Sequence, residues 1–179
     1  MTNITLIAGL AGSGKSTHCN KIEKDFDFVM HHDQWVDEFF QEVSHYDNEF
    51  VFQLMMYFPE AKLPSDITKD NIRKWVFEDP KLNILYSNAW KVKFCFVLAA
   101  FMKDKREFNI LIECPFLDEN IKCLKDMYPN NIKIHWMETN KEIIPRLEKR
   151  GWSDDRIMQS MMYQDKYFYR FKGIIDKVI

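Results

Sequence analysis

Residues Gly9-Leu10-Ala11-Gly12-Ser13-Gly14-Lys15-Ser16 spell G-x-x-x-x-G-K-S between an apolar, β-branched run at 4–8 and a helix-forming stretch, Lys15–Ile22. Strand, glycine loop and helix in that order leave a chain little choice of fold. The glycines let the backbone curl until successive N–H groups face inward, and the positive end of the helix adds to their field. The pattern predicts a nucleoside triphosphate site built from Gly9, Gly12, Ser13, Gly14, Lys15, Ser16 and Thr17, with ATP and Mg²⁺ as cofactors. Lys15 is expected at the β- and γ-phosphates and the Ser16 hydroxyl on the metal. Thr17 reads first as a helix-packing residue, one position from the ion.

Four further strands are expected at 26–31, 109–113, 131–136 and 174–179, most of them separated by helical sequence. That alternation predicts an α/β P-loop NTPase three-layer fold, a parallel sheet of about five strands flanked by helices. The stretch 36–105 carries no convincing strand. Its apolar residues recur at helical spacing: Phe39, Phe40 and Val43, then Phe50, Leu54, Met55 and Phe58. A turn at KLPSD, a helix at 70–77 and one long or two short helices at 82–101 follow. The expected organisation is therefore a core of 1–35 and 106–179, with a lid near 140–156, and a mostly helical acceptor-binding insertion at 36–105. Pure packing would explain the same aromatic and methionine side chains.

Asp33 is expected at the end of the second strand, on the carboxyl edge where open α/β sheets take ligands. A carboxylate there can receive the proton of an attacking hydroxyl; the structural alternative is a helix N-cap before Gln34. His31 and His32 would point to opposite faces of a strand, one packed and one toward a cleft. Glu113 ends the third strand and is expected to help hold the metal or the acceptor, or else to anchor the neighbouring loop. Pro115 should turn Phe116 and Leu117 back against the domain. Arg146 and Arg150 are four apart, hence on one helix face, and suit phosphate; Arg156 opens the next helix and is a further candidate for substrate contact. Met158, Met161 and Met162 read as a core-facing stripe.

The alternatives to a small kinase are thinly supported. The chain has no N-K-x-D base-reading segment of a GTPase. With 25 basic and 27 acidic residues and a formal charge of −2, a broad nucleic-acid face is not expected. The four cysteines, Cys19, Cys95, Cys114 and Cys123, form no C-x-x-C pair. A reduced cytoplasmic protein follows, and neither a signal peptide nor a membrane-spanning segment is expected.

These blocks together resemble the dephospho-coenzyme A kinase family, which is similar in fold to nucleoside monophosphate kinases. The likeness rests on AGLAGSGKS, on Asp33 after the second strand, on VFEDPKL at 76–82, on ECPFLDEN at 113–120 and on RLEKRGWSDDRIMQSMMYQ from Arg146 onward. It implies transfer of the ATP γ-phosphate to the ribose 3′-hydroxyl of dephospho-CoA. It also implies Asp33 as catalytic base, Lys15 and Ser16 on phosphate and metal, and Arg146 and Arg150 as lid arginines. Lys69 falls where the family has an arginine of its acceptor domain. The chain departs from the family at LYSNAW, where a His-Pro pair is expected, and at Glu113, where the family has aspartate. It is also similar to deoxynucleoside or nucleoside monophosphate kinases. Its front block looks like that of polynucleotide 5′-kinases, with Val36 where those carry arginine. A nucleotide-dependent switch without an acceptor is the non-enzymatic alternative.

Overall fold

The computed structural model describes residues 1–42, 49–104, 106–138 and 142–179. The chain divides into two compact units, Met1–His32 with Ala99–Ile179, and Asp33–Leu98.

The first unit is built on a parallel five-stranded sheet. Its strands are β1 (Asn3–Gly9), β2 (Phe28–His31), β3 (Asn109–Cys114), β4 (Ile132–Met137) and β5 (Lys177–Val178), in the order β2-β3-β1-β4-β5. β1 is central, with Ile4 in register with Ile110 on one side and Ile132 on the other. Ile4, Leu6, Ile7 and Ala8, and likewise Ile110, Leu111 and Ile112, are wholly buried, as strands covered on both faces must be. β4 alternates instead: Ile132, Ile134 and Trp136 are buried while Lys133 is exposed. The helices of this unit are α1 (Lys15–Ile22), α6 (Glu119–Met127), α7 (Ile143–Lys149) and α8 (Asp154–Phe171). Asp118 caps α6 by accepting from the Ile121 N–H, and Ser153 caps α8 by accepting from the Arg156 N–H.

Two strands are shorter than the sequence suggests, each because a 3-10 turn intrudes. Glu23–Asp25 is such a turn, and the Phe26 N–H closes it on the Glu23 carbonyl, so β2 begins at Phe28. Lys172–Ile174 is another, leaving only Lys177 and Val178 in β5. Asp176 adds a side-chain tie to the backbone pairing of this last strand. Its carboxylate accepts from the Ile134 N–H at 2.7 Å and from Lys125 Nζ on α6 at 2.9 Å.

The second unit contains α2 (His32–Glu42, entered at Asp33), α3 (Glu49–Tyr57), α4 (Lys69–Glu78) and the greater part of α5 (Pro80–Lys103). Val43 and the helical continuation expected there lie outside the described residues, as do Lys105 and residues 139–141. Its core is aromatic. Trp90 receives Trp35, Phe39 and Phe50 edge-on at ring centroid distances of 5.4, 5.2 and 4.9 Å, around buried Leu54, Phe58 and Ile72. Lys93 Nζ lies 4.7 Å from the Phe50 ring centre, and burial holds its ammonium below the usual lysine value. The KLPSD turn is the 3-10 turn Pro64–Asp66, tightened by the Asp66 carboxylate accepting from the Lys62 and Leu63 N–H groups.

α5 is one helix of 24 residues. By length and composition its stretch Lys81–Lys103 could cross a membrane, with a mean hydropathy of 1.2, so the expectation of no such segment does not hold on that criterion. Trp90, Phe94, Leu98 and Met102 are nevertheless buried in the protein, whereas Ile84, Val92 and Phe96 are exposed.

His135 on β4 is in register with Lys177 on β5. Burial, reinforced by that ammonium, holds its imidazole below the ordinary histidine value against the opposing pull of Asp176; Lys133 and protonation of His18 act in the same direction as Lys177. An unfolded chain takes up this proton near pH 6.5, whereas the folded one resists it, so the stabilisation present above that value is lost as the pH falls. The urea midpoint is expected to drop between pH 7.5 and 5, with a shallower drop in His135→Gln. Equal slopes in the two proteins would contradict this account.

Candidate active site

The loop between β1 and α1 owes its course to three glycines with positive φ, Gly9 at 145°, Gly12 at 82° and Gly14 at 95°. At Gly9 the constraint is also steric: a Cβ would lie 2.8 Å from the Met137 carbonyl oxygen and 2.9 Å from Met137 Cβ on β4. Gly14 stands at the N-cap of α1 and brings no capping side chain, so the first N–H groups of that helix are left for the loop and its ligand.

Lys15 is only 6% exposed. Its Nζ donates to the carbonyls of Gly9 at 2.9 Å and Leu10 at 2.6 Å, which compensates the charge within the loop. Ser13 Oγ is buried and finds no hydrogen-bond partner among the described residues. A buried hydroxyl in this position is costly unless something else bonds to it, and a phosphate oxygen has the chemistry to do so. The cradle therefore fits a phosphate chain. Thr17 is exposed on α1 rather than packed.

Glu113 projects from the carboxyl end of β3 and is engaged at both oxygens. Ser16 Oγ donates to Oε1 at 2.7 Å, and His31 Nδ1 lies 2.6 Å from Oε2. Neighbouring oxygen ligands of an octahedral magnesium at about 2.1 Å stand about 3 Å apart, close to the Ser16–Glu113 separation. The pair fits a small hard cation that keeps several waters; Ser16 and Glu113 would hold it, directly or through one of those waters.

The polar residues around this edge differ from expectation in several places. β2 ends at His31, not at Asp33, and α2 follows without a loop, so Asp33 occupies the first turn of a helix. It is neither a strand residue nor an N-cap before Gln34. His32 starts α2 and is buried, with its ring edge-on to Phe116 at 5.4 Å, so the two histidines do not alternate across one strand. Leu117 is fully buried beyond Pro115, as the turn there implies.

Of the arginines, Arg146 reaches the loop. Its Nη1 donates to the Gly12 carbonyl at 3.4 Å and its Nη2 to Glu142 Oε2 at 2.7 Å. Beside it, a Cβ on Gly12 would meet Leu147 Cδ2 at 3.1 Å, and Leu147 packs with Leu10, Ile143 and Ile157. Arg150 is the C-cap of α7, just past its last helical residue, and is exposed. Arg156, in the first turn of α8, lays its guanidinium over the Trp152 ring at 4.1 Å. The methionine stripe splits: Met161 packs beside Ile157, whereas Met158 and Met162 are 59% and 70% exposed. Lys69, the first residue of α4, is ion-paired with Asp37 inside the second unit. The sequence reading missed His31 as a partner of Glu113; the only signal was that both are polar residues at strand ends.

The chain matches no protein-family model and no curated protein. Among solved structures it is similar to TT1252 from Thermus thermophilus, with a TM-score of 0.61 and 17% identity over 99% of this chain and 87% of that one. Shikimate kinase from Bacteroides thetaiotaomicron gives 0.55 and 13% over 99% and 85%. Dephospho-CoA kinase from Campylobacter jejuni gives 0.51 and 16% over 100% and 88%. The chain shares its fold, a parallel five-stranded sheet flanked by helices, with these solved structures. Within it, the glycine loop, Ser16 and Glu113 gather at the carboxyl edge of β1 and β3, the general location of ligands in open parallel sheets.

The contact at Gly9 is directly testable. Gly9→Ala is expected to cost about 2–3 kcal/mol in urea unfolding, because the new methyl strikes β4 backbone at a strained φ. Gly173→Ala, where a Cβ meets nothing within 4 Å, is the control and should be near neutral. Equal midpoints would show that β1 and β4 do not approach so closely.

Proposed function

We propose that the protein is an ATP-dependent small-molecule kinase that transfers the γ-phosphate of Mg-ATP to a hydroxyl of a nucleotide-like acceptor. The observation that carries this reading is the loop itself: a buried ammonium, an unsatisfied buried serine hydroxyl and an arginine all meet the same curled backbone. An anion with several oxygens is the ligand such a site accommodates best. The 3′-hydroxyl of dephospho-CoA is the acceptor to test first, on the strength of the sequence resemblance. The helical unit Asp33–Leu98 is proposed to receive it, with Lys69 and Arg156 as further substrate contacts.

In the reaction, the acceptor oxygen attacks the γ-phosphorus in line, the new O–P bond forms and the bond to the bridging β–γ oxygen breaks, releasing ADP. Asp33, two residues beyond the end of β2, takes the hydroxyl proton and passes it to solvent. Lys15 and Arg146 stabilise charge on the transferring group and the leaving diphosphate, with Arg150 as the second arginine of the same segment. Magnesium would be held by Ser16 and Glu113 and would neutralise part of the charge on the phosphate oxygens.

ATP consumption should rise sharply with one member of a panel of dephospho-CoA, deoxynucleoside and nucleoside monophosphates, nucleosides, shikimate and a 5′-hydroxyl oligonucleotide. The last arm exposes a polynucleotide kinase. Slow hydrolysis unaffected by every acceptor, with a nucleotide-dependent conformational change, identifies a switch instead. Lys15→Met is expected to cut turnover by about a hundredfold or more, and near-normal turnover would remove it from the reaction. Asp33→Asn should leave ATP affinity nearly intact while slowing transfer; equal losses in both would assign Asp33 to the start of α2 alone.

A further inference from the structure

Glu113 has three side-chain torsions, yet both ends of its carboxylate are held. The hold on Oε1 comes from Ser16, a residue that a cation would recruit. The hold on Oε2 comes from His31, at 2.6 Å, and nothing in the phosphate-loop pattern requires it. The backbone makes this contact local and repeatable. His31 and Glu113 are register partners on β2 and β3, so their side chains leave the sheet on the same face. The next residue, His32, is buried against Phe116 and fixes the chain where β2 passes into α2. The His31 and Glu113 side chains are 25% and 16% exposed, shielded enough for a hydrogen bond to outlast competition from water.

We infer that His31 is a positioning residue for the cation site: its Nδ1–H donates to Glu113 Oε2 and keeps Oε1 turned toward Ser16 Oγ. The inference rests on the kinase reading in placing the cation at Ser16 and Glu113. His31 is not itself a metal ligand in this arrangement, since the nitrogen facing the site is committed to Glu113. A cation arriving between Ser16 and Oε1 leaves the His31 bond intact, so the carboxylate does not have to reorder when the metal binds. Partners of this kind, which orient a ligand without touching the ion, typically change metal affinity by about 10–100-fold when removed.

Mn²⁺ titrations followed by electron paramagnetic resonance, on the full chain with and without ADP, test this without turnover. His31→Ala is expected to weaken Mn²⁺ binding by about tenfold or more. His31→Asn should recover most of the loss, because its amide nitrogen can take the place of Nδ1. ADP affinity in EDTA and the thermal midpoint should be close to wild type in both variants. Mn²⁺ affinity in His31→Ala within twofold of wild type overturns the inference, as does a His31→Asn protein that folds but binds Mn²⁺ no better than His31→Ala. Long-range ¹H–¹⁵N NMR of the wild-type protein gives a readout that needs neither variant. The proton should reside on His31 Nδ1, with a resonance that shifts in Glu113→Gln; an unprotonated Nδ1 excludes the bond. Failure of ADP to bind would overturn the kinase reading, while the NMR result still decides the His31–Glu113 bond.

Discussion

The structure turns on an ammonium group kept out of water. Lys15 is buried at the first position of α1 and is held by the carbonyls of the two residues at which the chain leaves β1. To bring those carbonyls around a single nitrogen, the backbone must enter conformations with positive φ, which is why glycine stands at 9, 12 and 14. Gly9 answers a second demand, since its hydrogen is all that fits against β4. Sheet packing and phosphate cradle are thus imposed by the same residue, and the carboxyl edge of the sheet inherits the precision of its core.

The two units solve the problem of burial differently. In the first, aliphatic strands run through the middle and are covered on both faces, the arrangement a parallel sheet requires. In the second, helices converge on the Trp90 indole, and rings pack largely edge-on. Edge-to-face contacts impose angles as well as distances, so this core is specified by orientation more than by volume.

The five strands, the phosphate loop and α1 were legible because each is written in local chemistry: β-branched runs, glycines at fixed spacing, and charged or proline boundaries. What escaped reading is relational. No glycine or proline marks the passage from His31 into His32, so the immediate start of α2 was not legible and Asp33 was read at a strand end rather than in the first turn of a helix. The Met158–Met162 stripe fails for a related reason, because adjacent faces of one helix differ by a single residue of phase and Ile157 with Met161 takes the inward one. The His31–Glu113 bond depends on the register between strands far apart in sequence, and only pairing in space reveals it.

The Leu147 methyls against Gly12 have a mechanical consequence. Leu147 belongs to a small apolar cluster with Leu10, Ile143 and Ile157, which spans the glycine loop, α7 and α8. Lifting α7 away would wet that cluster, at roughly 25 cal/mol for each Å² of apolar surface exposed. The same four side chains therefore tie α7 and α8 to the glycine loop, so the loop's backbone is braced from outside the sheet as well as from within it.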